Sequence, residues 1–190
     1  MPYVPAPDLA ALTLAELAEA AAARRLPPIE QWAPTRTGDS LMRIAADGTW
    51  FHDGGQIRRP AMVRAFSALL VREDDGRHYL LTPFEKLSIA VDDAAFIATD
   101  MQVRQDEAGR TVLAFRLNTD DILLAGPDHA LRTAGSADVP AFYLRVRHGT
   151  EARLNRSTYA QLIEHALTVS APEALAVESG GLRFALVPPA

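Results

Sequence analysis

Anion binding is the chemistry suggested first by the rarest basic residue of this chain. Lys86 is the one lysine among 19 basic residues. It ends the run Thr82-Pro83-Phe84-Glu85-Lys86, in which a hydroxyl, turn amides and a point charge could converge on a phosphate or carboxylate. The run also has the spacing of a capping box with proline in the first turn, which predicts a plain capped turn between two strands. Arg58 and Arg59 stand immediately before Pro60, so two guanidinium groups lie beside the amides of a predicted helix amino terminus, where they could grip an anion. Cations there oppose the helix dipole and call for compensation, either by a ligand or by surface pairing with Asp53, Glu73 or Asp74. Arg145, Arg147, Asn155 and Arg156 form an analogous set ahead of a later helix.

Other chemistries find less support. The chain has no cysteine, which removes disulfides, thiol nucleophiles and cysteine-ligated metals. His52, His78, His129, His148 and His165 never fall into a close metal-binding spacing, and Asp92-Asp93 and Asp120-Asp121 are neighbours whose side chains point apart on a strand or cap turns. No structural metal is expected. There is no G-x-S-x-G, no P-loop and no G-x-G-x-x-G after a strand, so the common hydrolase, nucleotide-hydrolysing and dinucleotide fingerprints are missing. A net charge of −5 lacks the basic excess that a nucleic-acid backbone requires. No stretch approaches the roughly 18–20 continuous apolar residues of a membrane span, and the amino terminus carries no positive leader region. A cytoplasmic protein without a membrane span is expected.

These residues must be positioned by a folded core, and with 48% hydrophobic and 23% charged residues over 190 positions the chain can build one. Thr13-Leu14-Ala15-Glu16 reads as a capping box opening a helix, with Leu12 and Leu17 as its staple and Arg24-Arg25 before Pro27-Pro28 as its close. Strands are predicted at 41–44 and 49–51 around Asp47-Gly48. A helix follows from Pro60, with Met62, Val63, Phe66, Leu69 and Leu70 on one face. Further strands are predicted at 78–81, 87–91, 96–104, 111–117, 122–124, 130–133, 142–147 and 151–154. Ser157 is a candidate cap for a helix burying Tyr159, Leu162, Ile163 and Ala166, and a last hairpin joins 174–177 to 182–187 through Ser179-Gly180-Gly181. Trp32 and Trp50 read as packing wedges.

The order hairpin, helix, hairpin occurs twice. Met42-Arg43-Ile44 answers Leu144-Arg145-Val146, Gly48-Thr49 answers Gly149-Thr150, and Arg59 answers Arg156, which predicts a duplicated core.

Several of these pieces resemble the bacterial family of domain of unknown function 1285. The likeness rests on Met42-Arg43-Ile44 with Asp47-Gly48-Thr49-Trp50, on Ile57-Arg58-Arg59, and on Leu81-Thr82-Pro83-Phe84-Glu85-Lys86. Val91-Asp92-Asp93-Ala94-Ala95-Phe96 and Glu151-Ala152-Arg153-Leu154-Asn155-Arg156 complete it. The family phrase has proline in place of Ala95 and valine or a similar residue in place of Phe84. The resemblance implies a two-domain α+β protein with a duplicated core, its second domain a pleckstrin-homology-type partial barrel capped by a helix. It implies no established enzymatic activity, and a cleft between the domains as a small-ligand site, a nucleotide being one candidate and signalling the context.

The resulting expectation is an α+β protein of two domains, residues 1–94 with the leading helix and residues 95–190 rich in strand. Its function would be non-catalytic binding or sensing of an anionic small molecule, possible ligands including nucleotides. Trp32, Arg58, Arg59, Thr82, Glu85 and Lys86 would form the site with Arg145, Asn155 and Arg156, needing no cofactor, metal or catalytic residue. Two alternatives stand beside it: a protein-interaction module, and an enzyme using Glu85 as acid or base beside Lys86.

Overall fold

The computed structural model describes residues 8–136 and 138–187. Contacts gather them into two compact units, one of residues 25–96 with 147–151, the other of residues 8–24, 97–146 and 152–187. The first helix, α1 (Leu14–Ala23), begins at the expected capping box: the Glu16 amide donates to Thr13 Oγ1 at 3.3 Å and the Thr13 amide donates back to the Glu16 carboxylate at 2.8 Å. These bonds hold the Glu16 carboxyl below its ordinary pKa. The sequence reading placed this helix with residues 1–94, whereas its contacts place it in the second unit. The reason is its apolar face: Leu17, with Leu9 before the helix, packs on Ala114 and Ile122. The Arg104 guanidinium adds bonds to the carbonyls of Leu9, Ala10 and Leu12 at 3.1–3.2 Å, and Arg24 pairs with the buried Asp121.

Among the described residues the first unit is a six-stranded sheet with one α-helix. Strands β1 (Arg36–Ile44), β2 (Trp50–His52) and β3 (Gly55–Gln56) form an antiparallel run, after which α2 (Pro60–Ser67) leads into the meander β4 (Leu70–Arg72), β5 (His78–Leu81) and β6 (Glu85–Val91). The order β3-β2-β1-β6-β5-β4 brings β1 beside β6 in parallel, so the sheet is mixed. The Asp47-Gly48 turn forms as expected, with Gly48 at φ +84° and the Thr49 amide donating to Asp47 Oδ1 at 2.9 Å. Pro60 occupies the first turn of α2, where its missing donor costs nothing. The helix stops at Ser67 rather than running through Leu70, because the Leu69 carbonyl accepts from the Leu81 amide and the chain joins the sheet. Trp50 is fully buried and stacks on Phe66 of α2 with centroids 6.4 Å apart, and Ile44, Leu70, Leu80 and Ile89 of the same sheet are buried as well. Met62, expected on the inner face, is exposed.

Apart from Phe96 and Glu151, which are grouped with the first unit, the second unit holds the strands β7 (Phe96–Gln105), β8 (Thr111–Leu117), β9 (Ile122–Leu124), β10 (Leu131–Gly135), β11 (Pro140–Arg145) and β12 (Glu151–Leu154). They form a six-stranded sheet in the order β10-β11-β12-β7-β8-β9. Helix α3 (Arg156–Val169) follows, then a separate two-stranded sheet of β13 (Ala176–Ser179) and β14 (Leu182–Ala185). Leu162, Ala166 and Thr158 are the buried residues of α3. Its cap is Asn155 rather than the expected Ser157: the Thr158 amide donates to Asn155 Oδ1 at 2.9 Å, while Ser157 lies inside the first turn and donates to the same oxygen. The hydroxyl of buried Ser179 accepts from the Leu113 amide at 2.8 Å and donates to the Ala125 carbonyl at 2.7 Å, stitching the last hairpin to the sheet. The element order hairpin, helix, hairpin thus occurs in both halves of the chain. The closing hairpin joins the main sheet only in the first half.

Candidate functional site

The run from Thr82 to Lys86 is a tight turn between β5 and β6, and it satisfies itself. Thr82 Oγ1 accepts from the amides of Phe84 and Glu85 at 3.3 and 2.9 Å, and the Thr82 amide donates to the Glu85 carbonyl at 2.9 Å. The turn amides expected to meet an anion are therefore largely spent on the threonine hydroxyl. Glu85 is not helical; it opens β6 and pairs with Arg36 at 3.0 Å. Lys86 forms an ion pair with Glu73 and places its ammonium 4.2 Å from the Tyr79 ring centroid. The lone lysine is thus committed on two sides. Phe84, at the tip of the turn, is 74% exposed.

Arg58 and Arg59 behave otherwise. Arg59 is the N-cap residue of α2 and makes no side-chain capping bond. Both arginines are exposed, and neither side chain forms a hydrogen bond or ion pair with a described residue. The surface pairing with Asp53, Glu73 or Asp74 considered from sequence does not form; Glu73 pairs with Lys86 instead. Trp32 is half-buried in the first unit. Arg145, Asn155 and Arg156 belong to the second unit. There Asn155 is occupied as the α3 cap, whereas Arg145 and Arg156 are exposed and their side chains have no hydrogen-bond or ion-pair partner among the described residues. Apart from half-buried Trp32, the expected site residues thus separate into four that are internally satisfied, Thr82, Glu85, Lys86 and Asn155, and four arginines without a side-chain partner among the described residues.

Arg147 differs from those four. It lies in the short segment 147–151 that joins the first unit, where its guanidinium sits 4.8 Å from the Phe96 ring centroid and donates to the Ser67 carbonyl at 3.2 Å. Burial, with Arg64 nearby, lowers its pKa to about 10, so it keeps its charge at neutral pH. It is a structural cation that anchors this segment beside α2.

A feature that sequence reasoning missed lies on the first sheet. A recess of about 420 Å³ is lined by Asp39 and Leu41 of β1, Arg77 and Tyr79 at β5, and Ser88 and Ala90 of β6. The β1–β6 register slips between Asp39 and Met42, forming a bulge with Leu41 at φ +53°. Gly38-Asp39-Ser40 reads as a loop ahead of the strand predicted from residue 41, whereas β1 runs through it from Arg36 and takes the irregularity as a bulge. Among the described residues, no group of three or more metal-ligating side chains occurs, and no helix is long and apolar enough to cross a membrane.

Comparison with known proteins places these features in a family. The N-terminal domain model of the family described as domain of unknown function DUF1285 matches residues 27–94, and the model of its C-terminal domain matches residues 95–186. Among solved structures, a DUF1285 family protein from Silicibacter pomeroyi DSS-3 is 38% identical with a TM-score of 0.77, the match covering 90% of this chain and 94% of that one. A DUF1285 family protein from Shewanella baltica OS155 is 22% identical with a TM-score of 0.52, over 66% of this chain and 91% of that one, a likeness of fold. No curated protein matches the chain. With both domain models matched in order and a solved relative aligned over nearly the whole length, the chain belongs to the DUF1285 family.

Proposed function

We propose that the protein is a non-catalytic binder of an anionic small molecule, of nucleotide type, acting in intracellular signalling. The supporting observation is the separation among its cations: Arg58 and Arg59 stand side by side at a helix amino terminus without a side-chain cap, and neither has a side-chain acceptor among the described residues. A phosphate would supply both the acceptor for two guanidinium groups and the negative charge favoured at that helix end. Arg145 and Arg156 are a second uncommitted pair of candidates in the other unit. The enzyme alternative is not favoured, since Glu85 is held by Arg36. The pleckstrin-homology-type character of the second unit remains part of this proposal, supported by a six-stranded sheet followed by α3.

Isothermal titration with nucleoside mono-, di- and triphosphates and cyclic nucleotides tests the reading. Saturable binding is expected, weakened about tenfold or more in the Arg58→Ala/Arg59→Ala double variant, since each charge-assisted bond contributes roughly 1.5–3 kcal/mol. Lys86→Ala should leave the affinity within about twofold. Absence of binding across the panel, or binding indifferent to both the Arg58/Arg59 and the Arg145/Arg156 double variants, would reject it.

A further inference from the structure

The open face of the first sheet carries a hollow that its own strands create. On β6, residues 86, 88 and 90 alternate with the buried Ile89, and after the long Lys86 come two small side chains, Ser88 and Ala90. Tyr79 and Asp39 are in register with Ser88 from either side. The floor is therefore low and its flanks are high. The resulting recess, about 420 Å³, falls within the range of roughly 300–1,000 Å³ typical of small-molecule sites.

One wall is hard to explain by folding alone. Leu41 is 59% exposed and holds a left-handed backbone, a conformation that glycine or asparagine adopts far more readily. Three contacts keep it there. The Leu41 amide donates to Asp39 Oδ1 at 2.9 Å, Ser40 Oγ donates to the Ser88 carbonyl at 2.7 Å, and the Asp53 amide donates to the Leu41 carbonyl at 2.9 Å. Bulges re-aim side chains next to functional sites, and this one holds a large apolar residue at the rim of the hollow. Opposite it stands Tyr79, whose ring is packed beneath the Lys86 ammonium, itself paired with Glu73.

The charges at the rim choose the ligand. Among the described residues the Asp39 carboxylate accepts only from the Leu41 amide, and Arg77 has a loose, exposed pairing with Asp75 at 3.6 Å. Asp39 and Tyr79 lie two strands apart, roughly 10 Å, with Arg77 two residues along from Tyr79. Carboxylate and guanidinium therefore stand at opposite corners. A simple anion would meet Asp39 and a simple cation would meet Arg77, whereas a molecule bearing both charges satisfies both, with its apolar group over Ala90 between Leu41 and Tyr79. We infer that this recess binds a small zwitterion with an apolar side chain, a free amino acid. This site is separate from the four arginines of the proposed function.

The test is isothermal titration of the full chain with L-phenylalanine and L-leucine, with phenylacetate and phenethylamine as single-charge controls. Saturable binding of at least one amino acid is expected, at least about fivefold tighter than either control. Arg77→Gln, an exposed change, should weaken it about tenfold, and Ala90→Trp should abolish it by filling the floor. Arg58→Ala/Arg59→Ala should leave it unchanged, which separates this result from the nucleotide experiment. The inference is overturned by no saturation up to about 10 mM of either amino acid, by equal binding of a control, or by Arg77→Gln binding as wild type. Should Ala90→Trp fail to fold, Arg77→Gln alone decides.

Discussion

Burial lowers the pKa of three imidazoles, His78, His148 and His165, from the ordinary value of 6.5, desolvation being the largest cause for each. For His78 the charge of Arg72 adds to the effect and Glu151 opposes it; for His148 Glu30 opposes it and Arg147 adds to it. A base with a depressed folded-state pKa favours the neutral form in the fold. The unfolded chain therefore takes up more protons as the pH falls through 6.5, and the stability these groups contribute, present above that value, declines toward the lower folded pKa. Urea midpoints should fall between pH 7.5 and 5.5, and His78→Asn should flatten that decline; an unchanged slope would show that His78 does not contribute. Lys86 gives a second prediction at this scale. Its pairing with Glu73 and its seat on Tyr79 are partly exposed, so Lys86→Ala should lower stability by no more than about 1 kcal/mol in urea unfolding.

Two elements depend on single residues for their geometry. The turn between β11 and β12 passes through His148 and Gly149, both with positive φ, and the His148 carbonyl accepts from the Arg72 amide at 2.8 Å. A Cβ on Gly149 would stand 2.4 Å from the Arg72 carbonyl oxygen, so backbone must move to accept it. Gly149→Ala should destabilise the fold by more than the ~1 kcal/mol of an ordinary left-handed glycine replacement, read as a lowered urea midpoint. Helix α3 relies on Asn155 for its first turn. Asn155→Ala should cost about 1 kcal/mol, while Ser157→Ala should cost clearly less, a contrast measurable in parallel denaturation curves.

For the whole molecule, the path of the chain matters more than the count of domains. Residues 147–151 complete the first unit although they lie in the second half of the sequence. They supply the Arg147 bond to the Ser67 carbonyl and the His148 bond to the Arg72 amide. A fragment of residues 25–96 should therefore be poorly folded, with reduced spectral dispersion and no cooperative melt. Sharp, dispersed amide resonances from that fragment would show that the inserted segment is dispensable.

Elements whose signals are local were legible in the sequence. Thr13 with Glu16, Asp47-Gly48 and Pro60 act through bonds within a few residues, so α1, the β1–β2 turn and the start of α2 form where expected. The family could be read from short ordered phrases for the same reason. What depended on residues distant in sequence could not be read. Leu17 finds its partners at Ala114 and Ile122, Ser179 finds Leu113 and Ala125, and Lys86 finds Glu73. A capping box specifies that a helix begins, not which sheet will bury it. A lysine beside a threonine specifies donors, not whether a carboxylate from a neighbouring turn has already taken them. Tertiary packing made those choices, and with them it decided which cations are left without a side-chain partner among the described residues.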